Sequence, residues 1–151
     1  VANTNINSAK MKGFNFRFNQ DLIKNLTLKA NAAYVQAITS DSIPMAHIPP
    51  LSLRGEVVLS LSKLSKLNIY TNYNDWKPSS NYDANGVDNL DEATVDGTPS
   101  WYTTNVVYSR IFNNLKISLA CENIFDIHYK TFASGISSSG RNFILNLQYN
   151  F

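Results

Sequence analysis

Apolar and polar residues alternate with a period of two over most of this chain. In the first run, Phe14, Phe16 and Phe18 are separated by Asn15 and Arg17. Successive side chains of a β-strand point to opposite faces, so this period predicts strands with one apolar and one polar face. Seven runs share the pattern, at residues 14–19, 26–35, 51–62, 67–74, 101–109, 115–122 and 142–151. The sequence therefore predicts an all-β fold of seven strands.

Charged residues within these runs fall on the polar side. They are Arg17, Lys29, Arg54, Glu56, Lys116 and Glu122. Lys12 breaks the parity of the first run unless a β-bulge intervenes. One face of the predicted sheet is therefore apolar, and the other is polar and suited to contact with water.

The links between the runs alternate in length. Residues 20–25, 63–66 and 112–114 form short links, whereas residues 40–50, 78–100 and 126–141 form long ones. Short turns at one end and long loops at the other are typical of an outer-membrane β-barrel, with its turns in the periplasm and its loops outside the cell. The order of the links predicts an antiparallel meander.

A soluble β-sandwich also alternates and is the main alternative. Several runs here have ten or more residues, which matches the about 9 to 11 residues of a tilted strand that crosses a bilayer. The polar face is mostly Asn and Ser with few charges, whereas a sandwich usually carries Lys, Glu and Thr on its outer face. The pattern favours the transmembrane barrel.

Composition agrees with this class. Only 16% of the 151 residues are charged, the net charge is +2, 12% are aromatic, and 20 are Asn. Asn competes with helical backbone bonds, so a helical bundle is not expected. The charges are scattered in sequence, which gives no nucleic-acid footprint. No apolar run reaches the about 18 residues of a membrane-spanning helix, and the single Cys121 has no partner for a disulfide.

The last third of the chain carries the motifs of a known family. Residues Glu122–Asp126, followed by Tyr129, resemble the E-N-L-F-D-x-x-Y segment near the end of TonB-dependent outer-membrane receptors. Ser134–Ile136 and Gly140–Phe143 follow, and the latter resembles the glycine–arginine start of the last strand in that family. The chain ends on the aromatic residues of Tyr149–Phe151, as these barrels do.

Earlier segments fit the same family in the same order. Lys12–Phe14 resembles the glycine that opens a barrel strand, although Asn15 stands where the family has an acidic residue. Ile48–Pro50 and Thr98–Trp101 resemble its proline-marked returns from outer loops.

This resemblance implies that residues 1–151 are the C-terminal third of a larger barrel of about 22 strands. The remaining strands, the plug, the signal peptide and the segment that contacts TonB would lie outside this chain. The implied location is the outer membrane of a Gram-negative bacterium, and the implied partners are outer-membrane lipid, the other strands, the plug, TonB through that plug, and a small-molecule or metal-chelate ligand. The resemblance favours a ferric siderophore or other metal chelate over a polysaccharide.

Two other functions remain open at this level. One is a smaller outer-membrane porin or channel, and the other is a soluble β-sandwich module for adhesion or carbohydrate binding.

Catalytic residues are not expected, because no spacing of Ser, Cys, His and Asp indicates a triad. His47 and His128 lie in different long loops, where ligand contact is a more reasonable role. We expect no enzyme activity, no cofactor and no resident metal ion.

The longest link carries the densest candidate chemistry. Its five carboxylates are Asp83, Asp88, Asp91, Glu92 and Asp96, with no basic residue among them. They could hold Ca²⁺, but they lack the EF-hand spacing, so a solvated loop is the simpler interpretation. Trp76 is expected in the aromatic girdle of the membrane interface, while Tyr82 and Trp101 fit either that girdle or a ligand. The predicted ligand-binding residues of the outer loops are Tyr82, Asp83, Asp88, Asp91, His47 and His128.

Overall fold

The computed structural model of the chain describes residues 8–83 and 86–151. Seven strands form one antiparallel sheet in the order β1-β2-β3-β4-β7-β8-β9, and β5 and β6 form a separate two-stranded hairpin. The strands are β1 (Ala9–Ile23), β2 (Leu26–Thr39), β3 (Ser52–Ser62), β4 (Ser65–Asn74), β5 (Lys77–Pro78), β6 (Gly97–Thr98), β7 (Trp101–Phe112), β8 (Leu115–Glu122) and β9 (Asn142–Tyr149). The predicted seven-stranded meander is confirmed.

Hairpin pairing explains where the strands extend beyond the predicted runs. β1 and β2 pair continuously from Ala9 opposite Thr39 to Asp21 opposite Thr27. Backbone bonding therefore carries both strands past the end of the alternating pattern. At a short turn, Asn113 adopts a left-handed backbone with φ 51, a conformation that asparagine tolerates better than most residues.

The register joins the apolar sides of all seven strands into one face. Cross-strand partners point to the same side of a sheet. One row across this face contains Leu28, Val57, Ile69, Val106, Cys121 and Phe143. A row across the opposite face contains Arg17, Asn31, Arg54, Asn72 and Thr103. We call these the apolar face and the polar face.

Three cations at the ends of the strands lie on the apolar face. Lys10 pairs with Ile38 in the same register as Phe14. Lys12 pairs with Gln36 in unbroken register with Phe14, so no bulge returns it to the polar face; the irregularity lies between Asp21 and Ile23 instead. Arg110 pairs with Ile117 because β7 continues past the predicted end of its run. The separation of charge by face holds in the middle of the sheet and ends near its rims.

The apolar face has no layer packed over it in the described residues. The buried hydrophobic residues of the described chain are Ala37 and Tyr82, and neither lies on the apolar face. Large apolar side chains of that face, such as Phe16, Leu119 and Leu145, are exposed. The two-residue hairpin is the only other sheet found in this part of the chain. A two-sheet sandwich is therefore not the architecture. No helix in the described residues is long and apolar enough to cross a membrane.

The sheet is open rather than closed. β1 and β9 form its two edges, and every residue of both strands is exposed. Long edges with unpaired N–H and C=O groups are templates for further strands. Glycine at position 13 in β1 is required by this pairing, because a Cβ there would collide with the carbonyl oxygen of Tyr34.

A candidate ligand site in the long loops

Three long loops leave the same end of the sheet because the strands form a meander. We call them loop A (residues 40–51), loop B (residues 75–100) and loop C (residues 123–141). Loop B contains the β5–β6 hairpin and is described except for residues 84 and 85. Contacts among the three loops build the candidate site.

Asp88 fixes loop B to loop A. Its side chain is fully buried, and its Oδ1 accepts a hydrogen bond from the backbone N–H of His47 at 2.8 Å. The His47 Nδ1 lies 3.3 Å from the same oxygen. The backbone N–H groups of Asp88 and Val87 donate to the two carboxylate oxygens of Asp83 at 3.0 and 3.2 Å. Both carboxylates therefore organise the loop backbone.

Lys77 is a second connection, and the sequence pattern did not indicate it. The Nζ of this buried residue donates to the carbonyl oxygen of Ile48 in loop A at 2.6 Å and lies 5.0 Å from the ring centre of Phe132 in loop C. Burial lowers the pKa of Lys77, and the negative charge of Asp88 opposes that shift. One cation thus contacts all three loops.

Tyr82 lies inside the contact between loops B and C. It is 5% exposed, its hydroxyl hydrogen-bonds the Thr98 hydroxyl at 2.5 Å, and its ring meets Phe132 edge to face at 5.4 Å. At the surface of the same contact, the Nζ of Lys130 donates to the backbone oxygen of Glu92 at 3.0 Å. Tyr82 therefore packs the loops and presents little surface to a ligand.

A cleft of about 390 Å³ opens between loops B and C. Its aromatic side is formed by Trp101 and Tyr129, whose ring centres are 4.2 Å apart. The exposed His128 lines the same cleft, close to Glu92 and Lys130. Aromatic faces beside a few polar groups are the usual composition of a small-molecule site.

The six predicted ligand-binding residues fall into two groups. His47, Asp83 and Asp88 come together at the contact of loops A and B, while Tyr82 and His128 border the cleft between loops B and C. Asp91 is exposed in loop B. Among the residues that the structure describes, no three His, Cys, Asp or Glu side chains converge as a metal site. The five carboxylates of loop B are therefore dispersed.

The Glu122–Asp126 motif has a physical role in holding loop C. Asn123 is 3% exposed and left-handed at φ 48; its Nδ2 donates to the carbonyl oxygens of Ile127 at 2.9 Å and Ser139 at 3.3 Å, and its Oδ1 accepts from the Ile127 N–H at 3.0 Å. Its own N–H donates to the Oδ1 of the buried Asn105 at 2.9 Å. The Asn123 side chain thus joins both ends of loop C, and the Asn123 backbone is bonded to Asn105 in β7.

Asp126 closes the other half of this arrangement. Its Oδ1 accepts the backbone N–H of Arg141 at 2.7 Å, and the Arg141 Nε donates to the carbonyl oxygen of Ile124 at 3.0 Å. A Cβ at Gly140 would press on the Asp126 carboxylate. The start of the Gly140–Phe143 segment therefore packs against and hydrogen-bonds the Glu122–Asp126 motif at the other end of loop C.

Two cations of the polar face, Lys29 and Arg54, are paired with one carboxylate, Glu56. Glu56 accepts hydrogen bonds from Lys29 at 3.0 Å, Arg54 at 3.1 Å and Asn68 at 3.2 Å. The Arg54 guanidinium also lies over the ring of Tyr70, 3.8 Å from its centre. Towards loop C, a polar cleft of about 520 Å³ is lined by residues that include Tyr70, Asn105 and Glu122. This face is polar, and hydrogen bonds hold several of its side chains in place.

Neither a protein-family model nor a curated protein sequence matches the chain. Among solved structures, the chain is similar to the copper transporter OprC, with a TM-score of 0.84 and 18% sequence identity over 98% of this chain. The match covers 24% of the OprC chain, so this chain spans about a quarter of its length. The two proteins share the fold of this segment: an antiparallel sheet of long strands in sequential order.

Proposed function

We propose that this chain is a wall segment of an outer-membrane transporter that takes up a metal ion or a metal chelate. The observation that carries the proposal is the match of nearly the whole chain to a segment of a copper transporter. The uncovered apolar face and the hydrated polar face support it, because a barrel wall in a bilayer must face lipid on one side and water on the other. Both open edges then pair with further strands of the same barrel.

In this proposal the segment has no chemistry of its own to perform. The sheet pairs the backbone groups between its strands, and neighbouring strands of the same barrel pair those of its two edges, which is required where hydrocarbon offers no partners. Loops A, B and C form part of the outer entrance, and the cleft beside Trp101 and His128 contacts the cargo. Residues 122–143 resemble motifs of TonB-dependent receptors. On that basis we extend the proposal: the whole protein is TonB-dependent, has a plug inside the barrel, and carries a ferric siderophore or other chelate.

Uptake measurements on the intact protein test the cargo. We expect disruption of its gene to reduce accumulation of radioactive copper or of a ferric siderophore, and the restored gene to recover it. A protonophore should abolish this uptake if TonB drives it. Unchanged accumulation of both cargoes would contradict metal transport and favour another small solute.

Labelling of cells tests the orientation independently of the cargo. In a Cys121→Ser background, we expect an impermeant maleimide to label Val95→Cys in loop B, where Val95 is 95% exposed, on intact cells. It should label Asn113→Cys in the β7–β8 turn only after the outer membrane is permeabilised. If only Asn113→Cys were labelled on intact cells, the proposed orientation would be wrong and the turns would lie outside the cell.

A further inference from the structure

The topology reveals a separation of charge that the sequence order hides. The short-turn end of the sheet carries five cations and one carboxylate, Asp21. The cations, here called the basic rim, are Lys24, Lys63, Lys66, Arg110 and Lys116. The long-loop end carries nine carboxylates against five cations. The carboxylates are Asp41, Asp75, Asp83, Asp88, Asp91, Glu92, Asp96, Glu122 and Asp126, and the cations are Lys10, Lys12, Lys77, Lys130 and Arg141.

The charges of the basic rim are uncompensated. In the described residues, none of its five cations forms an ion pair; the pairs found there involve Lys29, Arg54, Lys130 and His47. The one carboxylate nearby, Asp21, accepts a hydrogen bond from the Thr27 hydroxyl at 2.6 Å. This end of the sheet is therefore left with an excess of positive charge, which would attract an anionic partner.

The surroundings of the rim indicate the kind of partner. Arg110 lies on the apolar face opposite Ile117, with its guanidinium carbon 4.8 Å from the ring centre of Phe112. Apolar side chains at the same end are exposed beside the cations: Leu22, Ile23, Leu61, Leu64 and Phe112. Cations mixed with exposed apolar and aromatic groups are typical of a membrane interface, where the apolar parts enter the acyl region and the charges stay at headgroup level.

We propose that the basic rim binds the phosphate headgroups of anionic phospholipids in the leaflet at the turn end of the barrel. The proposal rests on the proposed membrane location and adds a lipid preference to it. Arg110 contacts the headgroups from the apolar face, Lys24 and Lys63 contact them from the turns, and Lys66 and Lys116 add to the attractive potential. An acidic protein fits less well, because it would leave the apolar groups around Arg110 in water.

Lipid selectivity of the intact transporter tests this inference. The protein is reconstituted in phosphatidylcholine with a trace of spin-labelled phosphatidylglycerol or spin-labelled phosphatidylcholine, and the fraction of immobilised label is measured for each lipid. We expect a preference for phosphatidylglycerol that falls about fivefold for each rim charge removed, since one Lys or Arg near an anionic surface contributes about 1 kcal/mol. The test variant is Lys24→Gln/Lys63→Gln/Arg110→Gln. High salt should weaken the preference of the unmodified protein.

The matched control removes three cations from the opposite end, as Lys10→Gln/Lys12→Gln/Lys130→Gln. We expect it to change the preference less, because nine carboxylates already give that end an excess of negative charge. Equal losses in both triple variants, or no loss in the rim variant, would overturn the proposal. Competition by millimolar inorganic phosphate would also overturn it, by indicating a free-anion site instead of a lipid surface.

Insertion is measured separately in pure phosphatidylcholine. If the protein inserts there but shows no preference for phosphatidylglycerol, the result contradicts lipid binding by the basic rim and leaves the membrane location standing. A protein that inserts in no bilayer contradicts the membrane location itself.

Discussion

Arginine at position 57 should destabilise the membrane-inserted protein by about 2 to 4 kcal/mol, the cost of a cation that faces lipid near the bilayer midplane. Val57 lies at the middle of β3 on the apolar face, between Leu28 and Ile69, and is 38% exposed. In water this exposure would be harmless to an arginine. In hydrocarbon the charge must be desolvated or must reach the interface through a bilayer defect.

The neighbouring residue supplies a matched control. Val58 lies on the polar face between Thr27 and Asn68, so an arginine there enters a hydrated environment that already holds Lys29 and Glu56. The substitution Val58→Arg makes the same chemical change one residue along and should cost little. Leu119→Arg and Ala120→Arg form a second pair on opposite faces of β8.

The measurement is urea unfolding of the intact protein from bilayers of two thicknesses. We expect the cost of Val57→Arg to be larger in the thicker bilayer and that of Val58→Arg to be the same in both. Equal costs at the two positions would mean that the faces are assigned wrongly. If the cost of Val57→Arg is the same in both bilayers, the result would contradict the lipid-facing position and favour a soluble protein.

The middle of the sheet was predictable because one face of each strand is apolar and the other is polar. Residues such as Phe16 and Val57 recur every second position for that reason, and pairing then confirms the phase across strands. The same logic fails at the rims, where cations occur on the apolar face as well as on the polar face. Lys12 and Arg110 are on the apolar face there without contradicting a membrane location.

The loops were less predictable because their contacts join residues far apart in sequence with no period to reveal them. The run of carboxylates in loop B resembled a solvated segment, yet Asp83 and Asp88 are buried, since backbone N–H groups supply their partners. Lys77 lies outside the alternating runs, and its contacts with loops A and C have no signal in the sequence pattern. The β5–β6 hairpin has two residues on each side and is too short for alternation to indicate it.

Family motifs carried information that the alternation did not. In the sequence, Asn123, Asp126 and Arg141 are notable only as part of a family resemblance, and the structure shows that all three form hydrogen bonds that hold loop C. The buried Asn105, which accepts the N–H of Asn123, was not singled out because it occurs within a strand among other polar residues. The alternating pattern cannot distinguish a buried polar residue whose hydrogen bonds are all made within the protein from a polar residue exposed to water.

Replacing Asn123 should therefore open loop C while leaving the sheet intact. Asn123→Ala removes two donated side-chain hydrogen bonds and one accepted bond, each contributing about 1 kcal/mol, and it places alanine at φ 48 at a further cost of about 1 kcal/mol. We expect the free energy of local opening to fall by about 3 to 4 kcal/mol. Hydrogen exchange at the Ile127 amide and limited proteolysis within residues 123–141 report that opening, and the Ile117 amide in β8 should keep its protection.

Two further variants separate backbone strain from hydrogen bonding. Asn123→Gly adopts the left-handed backbone freely but lacks the amide, so it should recover only about 1 kcal/mol of the loss. Asn89→Ala makes the same change at φ 53, where a single side-chain bond to the carbonyl oxygen of Ala133 is lost, and should cost about 1 to 2 kcal/mol. Full protection in Asn123→Gly would show that the amide bonds contribute nothing. Because Tyr129 and His128 are carried by loop C, its opening should also weaken binding of any ligand that uses the cleft beside Trp101.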